Sequence, residues 1–302
     1  MATRFVGFVT LVLSVLLITG CGDDLSQGGE STDTFPYVVV VNNPLLYFTR
    51  RLIGDSVEVR LLAPADIDPA TWRPSVADVL QLQGAELVML NGAAYSSWLD
   101  KVALSPGKQV VTSASVKDRW IARDGRVTHS HGPGGDHAHG DYAFTTWMDM
   151  NLARIQAETV SVALQQRWPE QSDTIAANLR ELVNDLDFLD QSYREQTAQL
   201  AGRQIVYSHP VYQYFERRYQ LPGRSLHWEP DAMPSDEQWV ELEQMIDESS
   251  LFVWEGEPAT AIQERMTKLG LAWVVIDPAA NVGDSDWLSV QRDNIERYSG
   301  RG

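Results

Sequence analysis

The sequence predicts an α/β protein of two parallel-sheet lobes joined by one long rigid helix. Two observations support this fold class. Eight apolar segments of strand length fall into two groups of four, and a long amphipathic helical pattern separates the groups. A chain of 302 residues is also long enough to bury the cores of two lobes.

The N-terminal 20 residues have the pattern of a lipoprotein signal peptide. One arginine precedes an almost wholly apolar run over residues 5–20, and this run is short for a membrane span, although an uncleaved membrane helix is the alternative. The run ends in Ile18-Thr19-Gly20-Cys21, which resembles a bacterial lipobox. We expect Cys21, the only cysteine, to carry the lipid. Residues 21–35 are polar and rich in Gly and Ser, which predicts a flexible tether after the lipidated cysteine.

The apolar segments are the predicted strands. Most are rich in Val, Ile and Leu without polar alternation, as expected for strands buried on both faces of a parallel sheet. They predict an N-terminal lobe over residues 36–168 and a C-terminal lobe over residues 203–302. The segments are Val38–Val41, Val57–Pro64, Leu87–Gly92 and Gln109–Ser113 in the first group, and Gln204–His209, Ser225–Pro230, Leu251–Glu255 and Trp273–Pro278 in the second.

A long helix is predicted between the lobes, within residues 169–202. Its apolar stripe recurs at steps of three and four residues, and a helix from about Ser172 to Leu200 would span roughly 40 Å. The stripe is too short for three full heptads, so packing along both lobes is favoured over a coiled coil. A shorter helix is expected to begin after Asp149, a suitable N-cap. The stripe consists of Ile175, Leu179, Leu182, Leu186, Leu189 and Tyr193.

The charge balance restricts the choice of partners. A net charge of −17 argues against a nucleic-acid partner, because phosphate binding requires a basic surface. The same charge is compatible with the attraction of cations.

Four of the six histidines cluster within eleven residues, as His129, His131, His137 and His139. The segment between the two His-x-His pairs is GPGGD, which is flexible enough to bring the pairs together. Imidazole is a preferred ligand of zinc, copper and nickel, so the cluster predicts metal binding. The alternative is a solvated polar loop without a function.

Two further candidates end predicted strands. His209 follows one strand in YSHP, and Asp277 follows another in VVIDP. Ligands of open α/β sheets bind beyond the carboxyl ends of the strands, so both residues are candidate metal ligands. Glu255 and Glu257, after a third strand, are additional candidates. Each residue alone also has a structural interpretation, such as a turn cap or a solvated acid.

The chain resembles the zinc/manganese solute-binding proteins of ABC importers. The resemblance covers nearly the whole mature chain and rests on the lipobox, the histidine-rich loop and the segments PADIDPATWRPSVADVLQLQGAELVMLNG, TTWMDMNLA, YSHPVYQYFERRYQL and VVIDP. It implies two α/β lobes with the metal in the cleft between them. His209 and Asp277 match the third and fourth ligand positions of the family. Ala70 and Thr145 stand at the first and second positions, where the family has histidine.

The two replaced positions would leave an open, weak site. His139 precedes Thr145 by six residues, within about 20 Å even when extended, so a pair of loop histidines could complete the shell with His209 and Asp277. The alternative is that the loop only collects metal. Imidazole ligands favour zinc, whereas an oxygen-rich site with Asp277 and Glu255 would favour manganese.

The sequence therefore predicts a monomeric, extracytoplasmic binding protein, anchored to the membrane through Cys21, that captures zinc or manganese for an ABC permease. A metal-buffering lipoprotein without a permease and a family member that has lost the cleft site are the alternatives. An enzyme is not expected, because the chain has neither a G-x-S-x-G nor an H-E-x-x-H motif.

Overall fold

A computed structural model of the chain describes Met1 and residues 35–123, 128–130, 136–138, 141–283 and 285–299. The predicted signal peptide, Cys21 and the tether up to Thr34 lie outside the described residues, as do His131 and His139. Within the described ranges, no helix is both long and apolar enough to cross a membrane.

The N-terminal lobe contains a parallel sheet with the strand order β2-β1-β3-β4. Its two inner strands, β1 and β3, are buried along their whole length, because helices cover both faces. All four predicted strands are confirmed; β1 is shifted by one residue towards the N-terminus, and the other three are shorter than their apolar segments. The strands are β1 Tyr37–Val40, β2 Glu58–Leu61, β3 Leu87–Leu90 and β4 Gln109–Val111.

The C-terminal lobe contains a second parallel sheet, with the order β10-β9-β7-β8. The predicted strand Ser225–Pro230 is wrong in its bounds, because β8 runs over Gly223–Ser225 and shares only Ser225 with the prediction. The chain nevertheless continues beside β7, because Leu226 N donates to Tyr207 O at 2.8 Å and Trp228 N donates to Ser208 O at 2.9 Å. The strands are β7 Ile205–Tyr207, β8 Gly223–Ser225, β9 Leu251–Trp254 and β10 Ala272–Val275.

The two sheets share one topology that is not visible by eye in the sequence. When the strands of each lobe are numbered separately, both sheets have the order 2-1-3-4. The helix after each second strand also begins alike, with a capping box that satisfies the first backbone N–H groups. Ser75 and Asp78 form this box in one lobe, and Ser235 and Gln238 form it in the other.

A long helix, α4, joins the lobes as predicted. It has 27 residues and therefore spans about 40 Å. The predicted stripe is buried except for Leu179, which is partly buried. The α-helices are α1 Asn43–Ile53, α2 Val76–Gly84, α3 Met150–Arg167, α4 Ser172–Ala198, α5 Gln213–Tyr219, α6 Asp236–Met245, α7 Thr260–Lys268 and α8 Trp287–Ser299.

The predicted N-cap of α3 is confirmed. Asp149 accepts hydrogen bonds from Asn151 N at 3.0 Å and Leu152 N at 3.3 Å. The buried carboxylate also lies 3.6 Å from the guanidinium of Arg119 and 3.5 Å from that of Arg218. Since Arg218 belongs to the C-terminal lobe, this helix start is also an ionic contact between the lobes.

Further contacts hold the lobes together behind the cleft. Trp147 Nε1 donates to Pro278 O at 2.7 Å, and the Trp147 side chain is fully buried. The C-terminal helix α8 reaches back to α1, where the rings of Trp287 and Phe48 meet edge-to-face with centroids 5.2 Å apart. Burial of these aromatic rings stabilises one arrangement of the two lobes.

The histidine-rich segment contains a short hairpin. Strands β5 (Thr128–Ser130) and β6 (Asp136–Ala138) pair antiparallel, and the backbone register places His129 opposite His137. The sequence predicts a flexible loop here, and strand pairing of its backbone is a finding of the structure.

Candidate metal centre

Four acidic or imidazole side chains follow the four strands of the C-terminal sheet at its carboxyl edge. Asp277 comes after β10, Glu255 after β9, His209 after β7, and Glu229 after the extended segment that continues β8. Parallel strands end on the same edge, so the sheet order β10-β9-β7-β8 sets these residues side by side. All four line one cleft between the lobes.

Three of these side chains form a compact cluster. His209 Nδ1 lies 3.6 Å from Glu255 Oε1 and 3.7 Å from Glu229 Oε1. One ligand atom from each residue lies within 4.8 Å of the other two. His209 is buried, whereas the two carboxylates are partly open to the cleft.

Backbone contacts fix the positions of the donors. Glu255 N donates to Ser208 Oγ at 3.1 Å, which ties the turn after β9 to the turn that carries His209. Asp277 Oδ1 accepts from Ala279 N at 2.7 Å, and the Asn294 side chain of α8 binds the Asp277 backbone on both sides. The cluster is therefore held by a rigid sheet edge and by a helix.

Burial and mutual repulsion perturb the carboxyl groups. Burial, together with the charges of Glu229, Asp68 and Asp277, raises the pKa of Glu255 to about 8. Burial also raises the pKa of Asp277, against the lowering effect of its hydrogen bond from Ala279 N. Such accumulation of negative charge favours a bound cation.

The N-terminal lobe forms the opposite wall of the cleft. Thr145 lines it, and its hydroxyl donates to Val211 O at 2.5 Å, so the side chain is used as a contact between the lobes. Ala70 lies in the loop between β2 and α2, where its N–H donates to Asp68 Oδ1 at 2.9 Å. Asp68 faces the cleft from this wall. Its negative charge is one of those that raise the pKa of Glu255.

Two arginines, Arg73 and Arg123, also line this wall of the cleft. Arg123 Nη2 donates to Pro210 O at 3.3 Å, which places the guanidinium beside the residue that follows His209. Burial lowers the pKa of Arg123. The cleft has a volume of about 830 Å³ and is therefore large for a single ion.

Only some of the predicted site residues meet in the cleft. The structure brings His209 and Asp277 into one cleft and adds Glu255, whereas Glu257 is exposed and accepts a hydrogen bond from Gln263. His129 and His137 are described by their backbone alone, and His131 and His139 lie outside the described residues.

Sequence reasoning missed two neighbours of His209. Glu229 lies near the end of the predicted strand Ser225–Pro230, so the rule that identifies His209 and Asp277 applies to it as well. His227 lies inside the predicted strand and not at its end, so the sequence does not mark it. Its ring nevertheless meets the His209 ring edge-on, with centroids 5.4 Å apart.

Similar sequences carry metal-related names. The high-affinity zinc uptake system protein ZnuA of Bacillus subtilis is 23% identical over 241 residues, which are 78% of this chain and 75% of that protein. The zinc-binding lipoprotein AdcA of Streptococcus pneumoniae is 23% identical over 298 residues, or 94% of this chain and 58% of AdcA. The match therefore spans little more than half of AdcA.

Solved structures share the fold. The metal-dependent lipoprotein YcdH from Bacillus subtilis aligns with a TM-score of 0.74 at 17% identity, over 86% of this chain and 97% of that one. Zn(II)-bound AdcA from Streptococcus pneumoniae aligns with a TM-score of 0.73 at 21% identity, over 87% of this chain and 56% of that one.

The family described as zinc-uptake complex component A, periplasmic (ZnuA), matches residues 38–300, which include both sheets, the long helix and the whole carboxylate–histidine cluster. By this match, the chain belongs to the ZnuA family.

Proposed function

We propose that the protein captures a divalent transition metal, zinc, outside the cytoplasm and delivers it to an ABC importer. The observation that carries this proposal is the cluster of His209, Glu229 and Glu255, whose ligand atoms lie within 4.8 Å of one another at a sheet edge that faces the cleft. The protein is not an enzyme, since its family consists of periplasmic solute-binding proteins.

The spacing of the cluster fits a bound ion. Two ligands about 2.1 Å from a tetrahedral zinc ion lie about 3.4 Å apart. The separations of 3.6 and 3.7 Å from His209 Nδ1 to the two carboxylates are close to this value. We propose His209, Glu229 and Glu255 as the ligands of the ion, and Asp277 as a neighbouring carboxylate that adds negative charge to the same cleft. One imidazole among several carboxylates also suits manganese, so manganese is the second metal to test.

The names of relatives support the role in transport. The Bacillus subtilis relative is named a zinc uptake system protein, and a Streptococcus sanguinis relative, 24% identical, is named a metal ABC transporter substrate-binding lipoprotein. We accordingly propose an ABC permease as the partner and anchoring of a monomer to the outer face of a membrane through lipidated Cys21.

The histidine-rich segment is proposed to bind metal beside the cleft. It leaves the fold after Arg123 and returns before Phe144, and both of these residues line the cleft. The segment with His129, His131, His137 and His139 is therefore connected in sequence to residues that line the cleft. Removal of residues 129–139 is expected to lower the number of zinc ions per chain, and also the affinity of the tight ion if a loop pair completes the shell. An unchanged zinc isotherm would contradict both roles.

The decisive experiment is a calorimetric zinc titration of metal-stripped protein that starts after Cys21. One ion per chain with a dissociation constant well below micromolar supports the cleft site and the transport function. Several weak ions, or no binding, would overturn the capture of zinc in the cleft. A parallel manganese titration decides between the two metals.

A further inference from the structure

Arg123 is a partly buried cation for which the described residues supply no counterion. Apart from its hydrogen bond to Pro210 O, its guanidinium makes no hydrogen bond or ion pair with a side chain in the described part of the chain, and its Nη1 is buried without a partner. Burial of an unpaired charge costs free energy. No carboxylate among the described residues pairs with this guanidinium, whose aromatic neighbour is the Phe144 ring with its centroid at 5.8 Å, and the site therefore favours a ligand that is itself negative.

The metal-binding cluster of the C-terminal lobe has fewer ligands than zinc needs. Within the described ranges, the compact cluster offers three ligand atoms, all from the C-terminal lobe. Ala70 and Thr145 offer no imidazole from the N-terminal lobe, and the Thr145 hydroxyl already donates to Val211 O. Three protein ligands leave a coordination position of zinc open for water or another donor.

The space between the two walls exceeds what an ion needs. Pockets for small organic ligands have volumes of roughly 300–1,000 Å³, and the cleft has about 830 Å³. Glu229, Glu255 and Asp277 stand on the C-terminal wall with His209. Arg123 and the exposed Arg73 stand on the N-terminal wall, together with the carboxylates of Asp66 and Asp68. A molecule that bridges the walls would need donor atoms for a metal at one end and negative charge at the other.

We propose that the cleft takes the metal as a complex with a small polycarboxylate chelator rather than as a bare ion. One carboxylate of the chelator fills the open position on the metal, and a second carboxylate pairs with Arg123, assisted by Arg73. Arginine suits this role because its planar fork binds carboxylates through two parallel hydrogen bonds. This inference rests on the proposed function, since it needs a metal on the cluster around His209.

Equilibrium dialysis against radiolabelled citrate tests the proposal. Metal-stripped protein is dialysed with citrate alone, with zinc alone, and with both, and the zinc and citrate retained per chain are counted in the same samples. We expect about one citrate per zinc when both are present and clearly less citrate without zinc, because the metal supplies one of the two points at which the chelator is held. A loop histidine is the competing occupant of the open position.

The outcomes separate this proposal from the function on which it rests. Retention of zinc without citrate would overturn the chelator and leave zinc capture intact. Equal retention of citrate with and without zinc would overturn the complex, because the anion would then bind independently of the metal. Retention of neither would overturn both ideas.

Variants locate the anion. Arg123→Gln is expected to lower citrate retention about ten-fold, as the loss of a charge-assisted bidentate contact implies. Arg73→Gln changes an exposed residue without packing in the core and is expected to lower retention in the same direction even if Arg123→Gln impairs folding. Arg224→Gln, at an exposed arginine of β8 outside the cleft, is the matched control. Equal citrate retention by all three variants would contradict the proposal.

Discussion

His209 Nδ1 lies 3.6 Å from Glu255 Oε1 and nearly as close to a carboxylate oxygen of Glu229, at 3.7 Å. Two acids thus converge on one ring nitrogen from the two strands that flank β7, the strand that precedes His209. Carboxylates this close repel each other unless a cation lies between them. Substitutions in this cluster, rather than at Ala70 and Thr145, are therefore the ones that test metal binding.

Glu255→Gln is expected to weaken zinc binding about 100-fold or more, because even residues that only orient a ligand contribute 10- to 100-fold. The amide keeps the size of the side chain but removes the charge. Competition with a chromogenic chelator measures the effect. Glu257→Gln is the matched control, since Glu257 is exposed and binds Gln263. Equal losses in the two variants would show that Glu255 has no special role.

The zinc affinity is expected to fall as the pH decreases below 8. The pKa of Glu255 is raised to about 8 by burial and by neighbouring carboxylates, and an ion binds only to the ionised form. This group alone lowers the apparent association constant about ten-fold per pH unit below its pKa and releases about one proton per ion at pH 7. Calorimetry in buffers with different ionisation enthalpies counts the proton. A heat of binding that does not depend on the buffer would contradict the prediction.

The metal-free protein should become less stable as the pH rises, whereas a carboxylate in a salt bridge would make a protein more stable as the pH rises. Between 4.5, the ordinary pKa of the carboxyl, and about 8, folded Glu255 keeps a proton that the unfolded chain releases. The folded state binds more protons in this window, so the free energy of unfolding falls as the pH rises through it. Thermal unfolding in the presence of a metal chelator measures this slope.

Glu255→Gln provides the comparison for this slope, because glutamine does not titrate. The variant is expected to be more stable than the wild type at pH 8 and similar to it near pH 5. Parallel slopes in the two proteins would mean that Glu255 does not hold its proton in the folded state.

Asp149→Ala is expected to destabilise the protein by about 1–2 kcal/mol through the loss of the N-cap alone. The loss of a partner for Arg119 and Arg218 adds to this cost. Asp149→Asn keeps an acceptor for the helix N–H groups but loses the charge, so it should lie between the wild type and the alanine variant. Urea unfolding measures the order. An asparagine variant as unstable as alanine would assign the whole effect to the ion pairs.

The fold could be predicted because its signals are local and repeated. Each buried strand is a short apolar run, and the stripe from Ile175 to Tyr193 repeats with the helical period. The exception is β8, which is an exposed edge strand whose residues, Gly223–Ser225, have no apolar signature. Its position is fixed by pairing with β7, a contact that sequence periodicity does not encode.

The site could be predicted only where a strand end marked it. His209, Glu255 and Asp277 follow apolar runs, and the structure brings them into one cleft. Glu229 follows such a run as well, but its proximity to His209 depends on hydrogen bonds from Leu226 and Trp228 to the segment after β7. The pKa of Glu255 depends on charges that are far apart in sequence and close in space, so no local pattern reports it.

The position of the three proposed ligands, and of Asp277 beside them, along a single sheet edge has a consequence for the release of the ion. Separation of the lobes would uncover an ion without pulling its ligands apart, since none of these four belongs to the N-terminal lobe. A receiving protein that merely widens the cleft therefore cannot discharge the ion. It must offer competing donor atoms, or a proton must return to Glu255. Release of the ion is then a ligand-exchange reaction, and its rate depends on the exchange of ligands rather than on a hinge motion of the lobes.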